Sequence, residues 1–276
     1  MTTASDDIKQ RILQAARDDP RVAGCIEYGS GSEGRGDEWS DLDMALFLHD
    51  GELAGFEKDW KTWAAQFGTP LLAYISGVGH PWLIYDTGDL PLRVDLAFLP
   101  VTDMDDIPGW PSAPASVASM VLLDRTDGKL SAAVGQIVGQ SLAPADLQRT
   151  FEQSCGDFWY YLLRTYSKLM RGQFWAVRYD HNFIITGNLL ALLRIEAGAL
   201  GRWRGSSAAV GIERDIPARR LEQLDTCIPG RSNDDLKPVM LHSALLGREV
   251  CAEIARARGW DWPAALAERV LAVLRD

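Results

Sequence analysis

Apolar residues along the first half of the chain switch repeatedly between two periods. Ile8, Ile12, Leu13 and Ala16 recur at helical spacing from Ser5 to Arg17, and Pro20 ends that helix. Val22 to Tyr28 and Leu42 to Leu48 are short, mainly apolar runs, which predict buried strands. Between Glu52 and Phe67 the residues Leu53, Phe56, Trp60, Trp63, Ala64 and Phe67 predict another helix. Leu71 to Ile75, Trp82 to Tyr85 and Leu92 to Leu99 read as strands, the last two joined by the turn Asp86-Thr87-Gly88-Asp89. No apolar period survives in the Asp- and Pro-rich stretch after Pro100, which predicts a loop to Pro114. Met120 to Leu123 then returns as a short strand, and Lys129 to Gln140 as a helix.

From Ala145 onward the pattern is helical throughout. The predicted segments are 145–171, 174–200, 216–227, 233–258 and 263–275. The change at Ser141-Leu142-Ala143-Pro144 divides the chain into residues 1–142 and 143–276. The fold class is therefore α+β: a mixed-sheet domain followed by an all-helical one.

Composition narrows the class. With 47% hydrophobic and 24% charged residues the 276-residue chain reads as an ordinary globular protein of two domains. No apolar run approaches the ~20 residues that span a bilayer. Met1 to Asp7 lacks the basic and apolar regions of an export signal, which points to the cytoplasm. Cys25, Cys155, Cys227 and Cys251 are far apart and form no Cys-x-x-Cys pair, so they read as buried free thiols. His49, His80, His181 and His242 have no metal-ligand spacing either. A net charge of −10 repels phosphate overall, which argues against a nucleic-acid partner and for a small neutral or cationic acceptor.

Candidate chemistry lies between the first two strands. Tyr28-Gly29-Ser30 is followed by Gly31, Gly34 and Gly36, then by Ser40-Asp41-Leu42-Asp43. Glycines let backbone N–H groups approach phosphate oxygens, and the Ser30 hydroxyl adds a donor. Asp41 and Asp43 share one strand face because side chains alternate with period two. Magnesium takes one or two protein carboxylates and fills its octahedron with water and substrate phosphate. The order of features suits a metal-bound nucleoside triphosphate, with one or two magnesium ions.

A third acid is needed to act on an acceptor. Asp95, enclosed by apolar residues in Arg93-Val94-Asp95-Leu96, is the candidate as general base, as a ligand of the metal, or as both. Arg93, two residues earlier on the same strand face, is the rival explanation, as a neutralising partner for Asp95. Ser40 bonds either the site backbone or its own turn. Lys168 and Arg171 are candidates for the β- and γ-phosphates, although basic residues before Gly172 also complement a helix terminus. The aromatic group Trp159, Tyr160, Tyr161, Phe174, Trp175 and Tyr179 reads as a pocket wall, an interface or core, and His181 as a helix histidine rather than a base.

The run Arg21 to Ser30, with Gly34, Gly36, Asp37 and Ser40-Asp41-Leu42-Asp43, resembles the antibiotic nucleotidyltransferases of the polymerase-β-like superfamily. Within them it is most similar to the larger lincosamide nucleotidyltransferases with a helical carboxy-terminal domain. Arg93 to Leu99, Leu122 to Leu130 and Leu169 to Phe174 follow in the order that family leads one to expect. Asp43 departs from relatives that carry glutamate there. The resemblance implies magnesium, ATP or another nucleoside triphosphate, transfer of a nucleoside monophosphate to a drug hydroxyl, and in many members a homodimer.

The expected activity is thus magnesium-dependent transfer from ATP to a hydroxyl of a lincosamide or aminoglycoside, with pyrophosphate released. The aromatic group from Trp159 to Tyr179 favours the lincosamide. Nucleotidylation of a protein, as by toxin or antitoxin relatives, is one alternative; a nucleotide-binding regulatory protein without catalysis is the other.

Overall fold

Six strands in the order β3-β4-β5-β2-β1-β6 build the sheet of the first half. They are β1 (Val22–Glu27), β2 (Leu42–Leu48), β3 (Pro70–Ile75), β4 (Pro81–Tyr85), β5 (Leu92–Pro100) and β6 (Val121–Asp124). The computed structural model describes residues 4–88, 90–202 and 205–276; residues 1–3 of the amino terminus and Asp89 of the turn after β4 lie outside it. The chain forms two compact units, Met1–Ser141 and Leu142–Asp276.

The sheet is mixed because β2 and β5 run parallel while the other neighbouring pairs are antiparallel. A parallel pair needs a long crossover. Here the connection is α3 (Leu53–Ala64) with the β3–β4 hairpin.

Alternation gives the sheet two distinct faces. Leu42, Met44, Leu46, Val94, Leu96 and Phe98 pack with Ile8 and Ile12 of α1 (Ala4–Asp18) and with Phe56, Trp60 and Trp63 of α3. The opposite face carries Ala45, Phe47 and Ala97 against Met104, Ile107 and Leu130. Asp43 and Asp95 stand on this second face, by the same alternation.

Residues 101–109 depart from the expected loop. They form a 3-10 helix whose period of three residues per turn puts Met104 and Ile107 in the core. The predicted strand at Met120 also starts later: Val117–Met120 is a helical turn, α4, capped reciprocally by Ser116 and Ser119, and β6 follows it. The helix predicted over 129–140 is shorter, α5 (Lys129–Gly135).

The helical unit has its own core. It is built on α6 (Leu147–Met170), α8 (Thr186–Ala197), α11 (Leu236–Arg258) and α12 (Ala264–Arg275), joined by α7 (Phe174–Asp180), α9 (Ile212–Asp215) and α10 (Ala218–Asp225). The helix expected over 174–200 is interrupted by a π turn, His181–Ile185. Buried Arg220 is held by Glu196, Glu253 and Glu249, and buried Arg194 by Asp215 and three backbone carbonyls, so both buried charges are paired. All four cysteines are free and buried. Among the described residues no helix is long and apolar enough to cross a membrane.

Candidate active site

The end of β1 delivers the chain to a helical turn rather than to an open loop. This turn, α2 (Gly29–Ser32), begins one residue after the strand, and the Ser32 hydroxyl donates to the Gly29 carbonyl at 3.1 Å. The first N–H groups of any helix lack intrahelical partners, so the turn keeps donors available for an anion. Tyr28 N donates to the Asp43 carbonyl at 3.0 Å, which fixes the turn directly beside Asp43.

Gly29 has φ +67, and a Cβ there would collide with Asp43 Oδ2, whose carboxyl carbon lies 3.3 Å from that point. Only glycine fits this position. The phosphate-binding candidate and the first acidic strand are thereby held in direct contact.

Asp43 and Asp95 are register partners on the parallel pair β2 and β5. Side by side on one face, they affect each other's charge. Burial, reinforced by Asp41 and Asp95, pushes the Asp43 carboxyl up to about 7. Asp95 is also raised, first by burial and then by Asp41, while Arg93 and His80 oppose the shift. Tyr28 feels all three acids: burial and then Asp43, Asp95 and Asp41 push its phenol up.

Arg93 resolves the rivalry posed by the sequence. Its guanidinium reaches Asp41 Oδ2 at 3.2 Å, not Asp95, and it remains largely solvent-exposed. A screened pair of this kind is weakly held. Among the described residues no three acidic, histidine or cysteine groups are closed into a metal cage. The donor set still suits magnesium, which needs only one or two hard carboxylate oxygens from protein. Asp41 and Asp43 could supply these, and the repulsion of Asp43 by Asp41 is of the kind a divalent cation would relieve.

The remaining sequence candidates occupy other places. Ser30 lies within α2. Ser40 donates to Asp37 Oδ1 at 2.8 Å and accepts from Asp37 N at 3.0 Å, so its hydroxyl closes the turn before β2. It lines a cavity of about 620 Å³ together with Asp37, Trp39, Thr87, Leu90 and Arg93. Lys168 and Arg171 lie at the end of α6 in the helical unit. There Lys168 Nζ meets the buried Asp180 Oδ2 at 2.5 Å, and Arg171 is exposed. Gly172, with φ +67, ends α6 as a left-handed residue.

The aromatic group does not form one wall. Trp159 is wholly buried core, whereas Tyr160, Trp175 and Tyr179 are exposed. His181 is buried, with Nε2 3.0 Å from Ser243 Oγ, and burial pushes its pKa down to about 4. A base role for it has no support.

One pH dependence follows from Asp43. Its folded value of about 7 exceeds the ordinary 3.8, so the folded chain keeps a proton that the unfolded chain has released. Stability of the metal-free protein is expected to fall as pH rises from about 4 to about 7. Melting temperatures in EDTA across this range test it; Asp43→Asn should flatten the slope, and an unchanged slope would exclude Asp43 as its source.

Comparison with known proteins identifies the family. Over residues 2–276 the chain matches the family model described as streptomycin adenylyltransferase. Among curated proteins none matches. Among solved structures, an aminoglycoside 6-adenyltransferase from Bacillus subtilis is similar at 15% identity and TM-score 0.45, with 100% of this chain and 98% of that one covered. A nucleotidyltransferase-like protein from Exiguobacterium sibiricum 255-15 has 11% identity and TM-score 0.37, with 99% and 89% covered. A family match running from residue 2 to residue 276 takes in the glycine turn and all three acids, and on it the chain belongs to the streptomycin adenylyltransferase family and is a nucleotidyltransferase.

Proposed function

We propose that the protein transfers AMP from ATP to a hydroxyl of an aminoglycoside antibiotic. The observation that carries this reading is the register pairing of Asp43 with Asp95 beside the Gly29 turn. Asp41 and Asp43 are the residues that would hold magnesium, which would supply neutralisation of triphosphate charge and Lewis-acid polarisation. Gly29 and Ser30 bind phosphate oxygens through backbone N–H groups and the hydroxyl.

Asp95 takes the proton of the acceptor hydroxyl. The acceptor oxygen bonds to the α-phosphorus, the bond from that phosphorus to the bridging oxygen breaks, and pyrophosphate leaves with the electron pair. Arg93 is free to exchange Asp41 for phosphate. Within the helical unit Lys168 is held by the buried Asp180.

The acceptor class follows from charge. A polycation suits a chain of net charge −10 with three clustered acids, and the matching family is described by an aminoglycoside. The argument for a lincosamide weakens once Trp159 is core.

Pyrophosphate release should be measured with ATP, GTP, CTP and UTP against aminoglycosides and lincosamides, in magnesium. We expect ATP with an aminoglycoside to be preferred. Asp95→Asn should lower kcat by roughly 10²–10⁴, the usual worth of a general base. Full activity of Asp95→Asn would remove Asp95 from proton transfer, and turnover only with a lincosamide would reassign the acceptor.

A further inference from the structure

The strand register places five residues in one row across the sheet. Tyr28 bonds Asp43, Asp43 pairs with Asp95, Asp95 with Trp82, and Trp82 with Tyr74. Neighbouring strands are ~4.8 Å apart, so Trp82 lies one step and Tyr74 two steps, roughly 10 Å, beyond Asp95.

This far end of the row is apolar and open. Trp82, Tyr74 and Leu72 are 37%, 41% and 45% exposed, and Ile84, the register partner of Arg93, continues the same face. The alternate residues Leu83 and Tyr85 are buried on the opposite face. The Tyr74 and Trp82 rings meet edge to face with centroids 6.1 Å apart. Two aromatic rings turned to solvent beside a catalytic carboxylate gain nothing from burial in the fold.

Direction assigns the occupant. The phosphate turn follows β1, on one side of the carboxylate pair, and β4 and β3 lie on the other. In-line displacement at phosphorus requires the attacking oxygen opposite the departing group. Pyrophosphate held at the Gly29 side therefore demands an acceptor on the Trp82 side.

We infer that Trp82 and Tyr74 form the acceptor shelf, which binds the apolar face of a hydroxylated, cationic ring while Asp95 receives its hydroxyl. Aromatic faces attract both ring C–H groups and ammonium or guanidinium groups. The inference rests on the transfer reading above for its choice of ligand. It adds specificity-determining residues in the β3–β4 hairpin.

Calorimetric titration of the full-length chain with streptomycin and with a lincosamide, in EDTA so that no transfer occurs, measures the shelf independently of turnover. Steady-state kinetics and light scattering accompany it. Trp82→Ala and Tyr74→Ala should each raise the acceptor Kd and KM about tenfold, in line with one lost aromatic contact. The KM for ATP should stay within about twofold, and Trp82→Phe should restore most of the affinity. Circular dichroism verifies that the variants fold, and if Trp82→Ala does not, Tyr74→Ala carries the test. Unchanged acceptor Kd in both variants overturns the shelf and leaves the transfer reading intact. A wild type that binds neither probe also overturns the shelf. Binding without transfer from any nucleotide overturns the transfer reading, and the variants' Kd values still decide the shelf. Dissociation of a dimer by Trp82→Ala with acceptor Kd unchanged identifies the face as a subunit contact, against the inference.

Discussion

Asp43→Asn is expected to abolish turnover while making the metal-free protein more heat-stable at pH 8. The two effects have one origin. Asp43 is half-buried and crowded by Asp41 and Asp95, so at pH 8 its ionised carboxylate opposes folding. Asparagine removes that charge and also removes a hard oxygen anion from the proposed magnesium site. Lewis-acid stabilisation is worth several kcal/mol, so kcat should fall by roughly 10³. Asp41→Asn should lose activity to a similar extent with a smaller gain in stability, because it relieves only the repulsion on Asp43 and gives up the pair with Arg93. Pyrophosphate release and thermal unfolding in EDTA measure both effects. Near-normal turnover in either variant would falsify the metal assignment.

Gly29→Ala should be the other severe change. The residue would carry a side chain at φ +67, a conformation that costs a non-glycine residue ~1–3 kcal/mol, and its Cβ would strike Asp43 Oδ2. Displacing that carboxylate by about an ångström is enough to cost ~10² in rate. Gly34→Ala is the matched control: φ is +69 there too, but nothing lies within 4 Å of the added carbon. It should show the backbone cost and keep most of the activity. Equal kinetic losses in the two variants would mean that the clash with Asp43 has no part in the effect.

Much of the sheet was legible because its strands obey simple patterns. Leu42 to Leu48 is a strand with the bounds its apolar run implies, since a strand covered on both faces has little room for polar residues. Asp41 and Asp43 stood out as acids at the margin of such a run, and Asp95 as an acid enclosed within one. Register, by contrast, is a property of pairs. Nothing in one strand reveals that Asp95 faces Asp43 on one side and Trp82 on the other.

Arg93 illustrates the same limit: same-face proximity suggested Asp95 as its partner, and the structure directs it across to Asp41 on the neighbouring strand. Tyr28 was read only as the end of a strand, although its phenol feels all three acids. The 3-10 helix at 101–109 escaped notice because Met104 and Ile107 are too few to display a period amid aspartates and prolines. The Trp159 to Tyr179 group looked uniform because composition does not distinguish the buried ring of Trp159 from the exposed ring of Tyr160 next to it.

Because β3 is the outermost strand of the sheet, the solvent-facing residues of the hairpin can change while Leu83 and Tyr85 keep β4 packed beside the strands that carry the acids. On the proposed acceptor shelf, the choice of acceptor is thereby separable from the nucleotide site.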